Sequence, residues 1–196
     1  MKRIEEPFRI GGTHPNAEEL FRLGEQYRRG WKVIKDENKA VKYYLEAVAG
    51  GVSEAVDALK QLAEEGNSGA RFHLGEMYRI GNGVEKDVAA AIEWYRLATK
   101  HGHIEAANKL LLMAEEGNID AIVTLRKLAE KDNSLASGLL KRLTDQGNIE
   151  AQYHYGVLLQ KKKCFDDAKS CFFKAMLQGH SDAKEAYRAI IANNRT

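Results

Sequence analysis

Apolar residues recur along the chain at intervals that fit one face of short helices. In the sequence of 196 residues, an alanine is followed by apolar residues four, seven and eight positions later, and by a turn residue after eleven. One copy reads Ala55, Leu59, Leu62, Ala63 and Gly66. At 100° per residue these positions form a stripe about 100° wide, which is the width that a core-facing helix buries. Each copy therefore predicts one short amphipathic helix that ends at a glycine.

The copies follow one another closely enough to predict an all-α fold. Their first positions are residues 19, 40, 55, 70, 91, 106, 121, 136, 151, 168 and 183. Most steps between them are 15 residues, and steps of 21 and 17 residues mark longer connections. Isolated helices of this length are unstable in water, so each must bury its stripe on its neighbours. We predict an α-solenoid of about eleven short antiparallel helices.

Small residues mark the predicted ends and close contacts of these helices. The turn residue is usually glycine, and Asp132 takes its place once. An Asn or His follows the turn and is expected to cap the next helix; these residues are Asn67, His103, Asn118, Asn148 and His180. Gly24, Gly75 and Gly156 lie five positions after a first position, in mid-helix. Glycine there destabilises a helix, so we expect a neighbouring helix to approach closely.

Two segments with a longer connection between their helices carry additional residues at fixed distances. One contains Leu74-Gly75, Tyr78, the loop Gly81-Asn82-Gly83-Val84, Asp87 and Trp94-Tyr95 at set distances, and a weaker copy runs from Leu23-Gly24 to Tyr43-Tyr44. These segments resemble Sel-one-like repeats, which are relatives of tetratricopeptide repeats. A third copy keeps Tyr155-Gly156 but has Lys161-Lys162-Lys163-Cys164-Phe165 in place of the glycine loop. The resemblance covers approximately residues 15–52, 66–103 and 147–183.

Single-helix copies at residues 53–65 and 104–146 depart from the family pattern. One and then three single helices stand between family-type pairs, so successive pairs do not all run in the same direction. We therefore predict a solenoid of irregular curvature, with irregular single-helix insertions. The predicted organisation is an N-terminal arm over residues 1–14 and a single repeat domain over residues 15–196.

The charge pattern excludes several classes of protein. The chain has 30 Lys and Arg against 28 Asp and Glu, a net charge of +2, and the two signs are interleaved. A nucleic-acid-binding protein usually has a basic stripe, so nucleic acid is not an expected partner. No stretch approaches the roughly 20 apolar residues of a membrane helix. The first residues also lack the apolar run of an export signal, so a soluble, cytoplasmic protein is expected; a processed start would leave a periplasmic or secreted location open.

Catalytic and metal-binding motifs were sought in the sequence without success. It contains no G-x-S-x-G elbow, no H-E-x-x-H and no dinucleotide fingerprint, and Gly81-Asn82-Gly83 lacks the Lys-Ser/Thr of a phosphate loop. We expect turn or capping roles for His101 and His103. Cys164 and Cys171 are expected to be small, buried or half-buried apolar residues. The predicted protein is not an enzyme and has no cofactor and no metal.

The resemblance implies where a partner would bind. In tetratricopeptide arrays, partner contacts come from exposed positions on the first helix of each pair. The corresponding residues are Glu25, Arg28, Arg29, Glu76, Arg79, Gln160 and Lys161. Trp31 joins this set because it occupies a loop position where the better copy has Asn82. An exposed Trp is a frequent interface anchor, although Trp31 could equally pack beneath its own loop.

Three hypotheses of function follow. The first is a non-enzymatic adaptor or scaffold that binds a protein partner through an extended helical surface, by family-level analogy in a bacterial-type signalling or envelope-assembly pathway. The second is a dedicated inhibitor or immunity-type protein that neutralises one specific, toxin-like protein. The third, a remote alternative, is a small-molecule hydrolase. The identity of the protein partner is unknown at this stage, and a monomer is favoured.

Overall fold

The computed structural model describes residues 15–193, and within that range the chain forms eleven α-helices and no strand. The number of helices is the predicted one, and the all-α class is confirmed. The predicted N-terminal arm, residues 1–14, lies outside the described residues. The helices are α1 (Ala17–Arg29), α2 (Glu37–Ala49), α3 (Glu54–Glu64), α4 (Ser68–Ile80), α5 (Val88–Lys100), α6 (Ile104–Glu115), α7 (Ile119–Ala129), α8 (Ser134–Asp145), α9 (Ile149–Lys161), α10 (Phe165–Leu177) and α11 (Ser181–Asn193).

The predicted apolar stripe is the buried face of these helices. Every alanine at a first position has no exposed surface; they are Ala40, Ala55, Ala70, Ala91, Ala106, Ala121, Ala136, Ala151, Ala168 and Ala183. Large side chains four residues later, among them Leu59, Leu74 and Leu110, are also completely buried. A methyl side chain lets two helix backbones approach, and the larger side chain fills the space beside it. The period therefore predicted the core correctly.

Side chains that precede the helices cap them as expected. The Oδ1 of Asn67, Asn118 and Asn148 accepts a hydrogen bond from the backbone N–H three residues later, at 2.8 to 2.9 Å. His103 does the same through Nδ1, which is 3.3 Å from the backbone nitrogen of Ala106. These bonds satisfy one of the backbone donors that every helix leaves free in its first turn.

The turns after the helices use left-handed backbone conformations. Gly66, Gly117 and Gly147 have φ angles of 111°, 90° and 88°. Asp132, the predicted substitute for glycine, has a φ of 59°, and Lys163 after α9 has a φ of 62°. A residue with a side chain rarely adopts this conformation, because its Cβ approaches the backbone. The turns after α7 and α9 therefore keep the left-handed conformation even though the residue there is not glycine.

Two of the three mid-helix glycines lie against an aromatic ring, as predicted. A Cβ added to Gly24 would be 2.5 Å from Cε1 of Tyr44, and one added to Gly156 would be 2.7 Å from Cε1 of Phe172. Gly75 is buried in α4. In both the α1–α2 and the α9–α10 hairpin, an aromatic ring of the second helix therefore packs against a glycine of the first. This contact is present although the α9–α10 loop contains no glycine.

The helices divide into two compact units, residues 1–94 and 95–196, with the boundary inside α5. In unit 1, α2 packs against α1, α3 and α4, around a core that includes Tyr44, Leu59 and Leu74. In unit 2, α7 packs against α6, α8 and α9, and α10 packs against α9 and α11. A single domain over residues 15–196 and an irregular curvature stay predictions.

One minor expectation about the cysteines was wrong. Cys171 is buried in α10, as expected, but Cys164 is exposed. Cys164 directly precedes α10 and lies in the turn after α9, outside the stripe of either helix. Residues in such turns lie at the surface, because their backbone groups need water or a cap.

Candidate functional site

Glu25 is the centre of a charged cluster on α1. Its Oε2 is 2.6 Å from Nη2 of Arg29, and its Oε1 is 3.1 Å from Nε of Arg28. The hydroxyl of Tyr44 in α2 donates a hydrogen bond of 2.5 Å to the same Oε1. Partial burial raises the pKa of Glu25, but these hydrogen bonds and the two guanidinium charges outweigh it and hold the pKa below its ordinary value. The cluster is therefore ionised and rigidly held at neutral pH.

The two arginines of this cluster differ in how accessible they are. The Arg28 side chain is 17% exposed, and its Nη1 is also 3.8 Å from Oε1 of Glu65, directly after α3. The Arg29 side chain is 66% exposed. Arg28 thus links α1 to the end of α3, while Arg29 presents its guanidinium to solvent. Of the two predicted partner contacts, Arg29 is the one that a partner can reach without breaking internal bonds.

A similar pair lies on α4, at the equivalent positions of the second family-type segment. Nη2 of Arg79 is 2.9 Å from Oε2 of Glu76, and Nε is 3.4 Å from Oε1. The Arg79 side chain is 37% exposed and the Glu76 side chain is 24% exposed. The next residue, Ile80, is 55% exposed. Two residues predicted as partner contacts therefore form the same kind of Glu–Arg pair here as Glu25 and Arg28 do on α1, with an exposed apolar residue beside it.

The loops that follow α1 and α4 have the same backbone geometry. We call them loop L1 (residues 30–36) and loop L2 (residues 81–87). Each begins with a glycine in the left-handed conformation, with φ of 70° at Gly30 and 81° at Gly81. Asp36 in L1 and Asp87 in L2 each donate a backbone hydrogen bond, of 3.0 and 2.8 Å, to the carbonyl of Tyr27 or Tyr78. The two loops are therefore two copies of one turn.

The side chains of the two loops differ at three positions. L1 has Trp31, Lys32 and Ile34 where L2 has Asn82, Gly83 and Glu85, respectively. Trp31 is 61% exposed and Ile34 is 69% exposed. The sequence left open whether Trp31 is exposed or packs beneath its own loop, and in the structure it is exposed.

Lys32 in loop L1 has an unusual backbone conformation for a lysine. Its φ is 61°, close to the 71° of Gly83 in loop L2. Its Nζ is 4.7 Å from the centre of the Trp31 ring, a cation–π distance. The sequence pattern did not single out Lys32 or Ile34, although a comparison of the two loops, position by position, contains the signal.

The predicted residues on α9 lie in unit 2 and form a separate patch. Gln160 is half-buried. Nζ of Lys161 is 2.8 Å from Oε2 of Glu130, next to the end of α7, and Arg126 bonds the other oxygen of that carboxylate. Burial raises the pKa of Glu130, but the two cations outweigh this effect and lower it. Lys161 is 59% exposed, so it can still contact a partner.

The described residues contain no geometry typical of a catalytic metal centre or a membrane span. Within residues 15–193, no three His, Cys, Asp or Glu side chains lie where they could hold one metal ion. None of the helices described there is long and apolar enough to cross a bilayer. The charged clusters on α1, α4 and α9 are ion pairs at the surface, suited to contact with another molecule.

Comparison with known proteins identifies part of the chain. The sequence model of the Sel1 repeat matches residues 20–52 and 68–103. The third segment predicted from the resemblance, residues 147–183, is outside these matches and stays a prediction. No curated protein matches the chain.

Two of the solved structures that match the chain are described as repeat proteins. One is a protective antigen of uropathogenic Escherichia coli with an SLR fold, at 22% identity and a TM-score of 0.33, over 87% of this chain and 48% of that one. The other is a Sel1 repeat protein from Oxalobacter formigenes, at 22% identity and a TM-score of 0.32, over 90% and 66%. The chain thus spans about half the length of the first protein and 66% of the second.

Proposed function

The chain carries Sel1 repeats at residues 20–52 and 68–103, and on this premise we propose that it is a non-enzymatic adaptor or scaffold that binds a protein partner. Sel1 repeats are generally protein-interaction modules, and proteins built from them are generally non-catalytic. In unit 1 the proposed contact surface consists of the Glu–Arg pairs on α1 and α4 together with loop L1. The patch around Lys161 in unit 2 is a separate candidate.

The observation that carries this proposal is the difference between loops L1 and L2. L2 forms the same turn with Asn82, Gly83 and Glu85, so the turn itself requires neither a Trp nor a Lys. L1 instead exposes Trp31 and Ile34, and it keeps Lys32 in a backbone conformation that costs a non-glycine residue free energy. Exposed aromatic side chains beside basic groups are typical of interface anchors. Partner binding accounts for side chains that folding does not need.

The charges around L1 suggest the chemistry of the partner. The side chains of Arg29, Lys35 and Lys39 are 66%, 61% and 56% exposed, and Lys32 lies over the Trp31 ring. Their acidic neighbours are Glu25, Asp36 and Glu37, three carboxylates beside these four cations, so part of the positive charge is left over. We therefore propose a partner segment with acidic side chains around an apolar residue, which would contact Trp31 and Ile34.

The experiment that tests the proposal exchanges the residues of one loop for those of the other. The variant W31N/K32G/I34E gives L1 the side chains of L2 and leaves its backbone geometry unchanged. Partners are first identified by pull-down with mass spectrometry from the native source, and the affinity of each purified partner is then measured. We expect the exchange to weaken binding at least tenfold, because it removes the Trp31 anchor and the positive charge of Lys32 and adds a negative charge at position 34.

A matched control keeps the result specific. Leu177 in α10 is 68% exposed and belongs to unit 2, so Leu177→Asn removes an exposed apolar residue that is not part of L1. We expect this variant to bind as the wild type does, and both variants to keep their helical circular dichroism. Unchanged affinity of the folded loop-exchange variant would contradict the proposal. A single stoichiometric partner whose activity is blocked would favour the dedicated inhibitor over the adaptor.

A further inference from the structure

His180 lies in the turn between α10 and α11 and holds both neighbouring elements. Its side chain is 7% exposed. Its Nδ1 accepts hydrogen bonds from the backbone N–H groups of Asp182 and Ala183, at 3.2 and 3.3 Å, in the first turn of α11. Its Nε2 is 3.3 Å from Oε2 of Glu150 in α9. One imidazole ring thus caps α11 and bonds to α9.

This arrangement assigns the protonation state of the ring. A ring nitrogen can accept a hydrogen bond only when it carries no proton, so Nδ1 is bare. The proton of the neutral imidazole is then on Nε2, where it is donated to Glu150. A second proton would have to be added to Nδ1, the atom that accepts the two backbone hydrogen bonds.

The ring is surrounded by groups from three helices. It stacks on Tyr153 of α9 with centroids 4.3 Å apart and planes 24° apart. Glu150 and Tyr153 of α9 and Asp182 of α11 contact it directly. The charge of His180 also acts on His154 of α9, and Arg126 of α7 acts on both Tyr153 and His154. A cleft of about 510 Å³, lined in part by Asn148 and Gln178, gives solvent access to this end of α9.

We propose that His180 makes the docking of α11 dependent on pH. Protonation of Nδ1 removes the acceptor from the first turn of α11 and leaves two backbone N–H groups facing a donor. It also places a positive charge at the helix N-terminus, where the helix dipole already disfavours cations. The bond from Nε2 to Glu150 gains charge and opposes this effect, but it is one bond against two lost backbone hydrogen bonds and an unfavourable dipole interaction. We therefore expect loss of the cap to be the larger effect, so that α11 loosens as the pH falls.

The loosening of α11 would uncover apolar surface. Ile190, Ala186 and Tyr187 of α11 pack on a cluster that contains Ala168 and Phe172 of α10, and Phe172 has no exposed surface in the folded chain. The device therefore exposes a new face of α10 in an acidic environment.

His103 provides a comparison within the same chain. It also caps its helix through Nδ1, but Oε2 of Glu105 lies 3.3 Å from that nitrogen. When His103 is protonated, this carboxylate can accept the new proton's hydrogen bond. In addition, α6 packs against both α7 and α8. We therefore expect the protection of α6 to change much less with pH than that of α11.

The test measures hydrogen exchange of the full chain at pH 7.5 and pH 5.5, corrected for intrinsic rates. Amides of α11 in the wild type should lose about fivefold in protection at the lower pH, the factor expected for the loss of one helix cap. In His180→Asn the protection of α11 should be independent of pH, because Asn caps α7, α8 and α9 and does not titrate. His101→Asn, at an exposed turn position, should respond to pH as the wild type does.

Two results would overturn the proposal. One is equal protection of α11 at both pH values in the wild type, or the same loss in His180→Asn as in the wild type. The other comes from the wild-type protein alone and needs no variant to fold. Nitrogen chemical shifts of the His180 ring at pH 7.5 should identify Nε2 as the protonated nitrogen, and a proton on Nδ1 would contradict the capping role.

Discussion

Gly24 and Tyr44 couple the packing of the core to the charged face of α1. Because Gly24 has no Cβ, the ring of Tyr44 lies directly against the α1 backbone. Its hydroxyl then reaches Glu25, whose carboxylate orients the exposed Arg29. Burial and the bond to Glu25 both raise the pKa of Tyr44, so its hydroxyl stays a donor at physiological pH. A single missing methyl group thus determines where an exposed guanidinium is held.

Replacement of Gly24 by alanine should destabilise the protein. The added Cβ would lie 2.5 Å from Cε1 of Tyr44, and Tyr44 is completely buried and cannot move aside freely. Overpacking of this kind costs about 1–3 kcal/mol, against a gain of about 1 kcal/mol in helix propensity. We expect a net loss of up to about 2 kcal/mol in the free energy of unfolding, measured by urea denaturation.

Gly138 in α8 provides the matched control for this prediction. It is also in mid-helix, but it is exposed, and no heavy atom lies within 4 Å of an added Cβ. Gly138→Ala should therefore stabilise the protein by up to about 1 kcal/mol, through helix propensity alone. If both substitutions changed stability in the same direction, close approach would not be the reason for Gly24.

At the scale of whole elements, the ends of the helices depend on residues in the left-handed conformation. Most of these positions are glycines, such as Gly66 and Gly147, but Lys163 adopts a φ of 62° directly before Cys164 and α10. The α9–α10 hairpin keeps its ring-on-glycine contact between Phe172 and Gly156 without a glycine loop. Helix packing therefore holds Lys163 in a conformation that its own side chain disfavours.

Lys163→Gly should stabilise the protein by about 0.5–1 kcal/mol, because glycine adopts positive φ without the steric cost of a Cβ. The neighbouring Lys162 has a φ of −79°, so Lys162→Gly should be neutral or destabilising. Both lysines are exposed and each substitution removes one positive charge, so backbone conformation is the main difference, although Lys162→Gly also removes the surface ion pair with Asp132. The midpoints of thermal unfolding measure the difference, and an equal shift in both variants would contradict the argument.

At the scale of the whole molecule, the chain consists of two compact units whose helices pack mainly on their neighbours in sequence. Helical repeat proteins of this kind derive their stability from individual helices and nearest-neighbour contacts. A local defect should therefore weaken nearby helices before distant ones. The proposed surfaces follow the same division, since loop L1 belongs to unit 1 and the His180 cap belongs to unit 2.

This locality can be measured with two equivalent substitutions. Gly24→Ala should increase hydrogen exchange most in α1, α2 and α3, and Gly156→Ala should do so most in α9, α10 and α11. The two glycines make the same kind of contact, so the chemical change is matched and only its location differs. Equal increases across all helices in both variants would indicate one cooperative unit instead.

The sequence by itself determined the features that depend on residues close together in the chain. The apolar period identified eleven helices and the alanines that have no exposed surface, and the residues after each turn predicted the caps. Gly24 and Gly156 were interpreted correctly because glycine is costly in a helix unless something lies against it. All of these follow from local geometry, which repeats every 15 or so residues.

Only the tertiary structure decided which side chains meet across helices. Arg28 is covered because Glu65, at the end of α3, approaches it, while Arg29 one residue later is exposed. The bonds from Tyr44 to Glu25 and from His180 to Glu150 join residues 19 and 30 positions apart. The helical period sets the face on which a residue lies, but the rotation and offset of neighbouring helices set its partner, and those depend on packing across the whole hairpin.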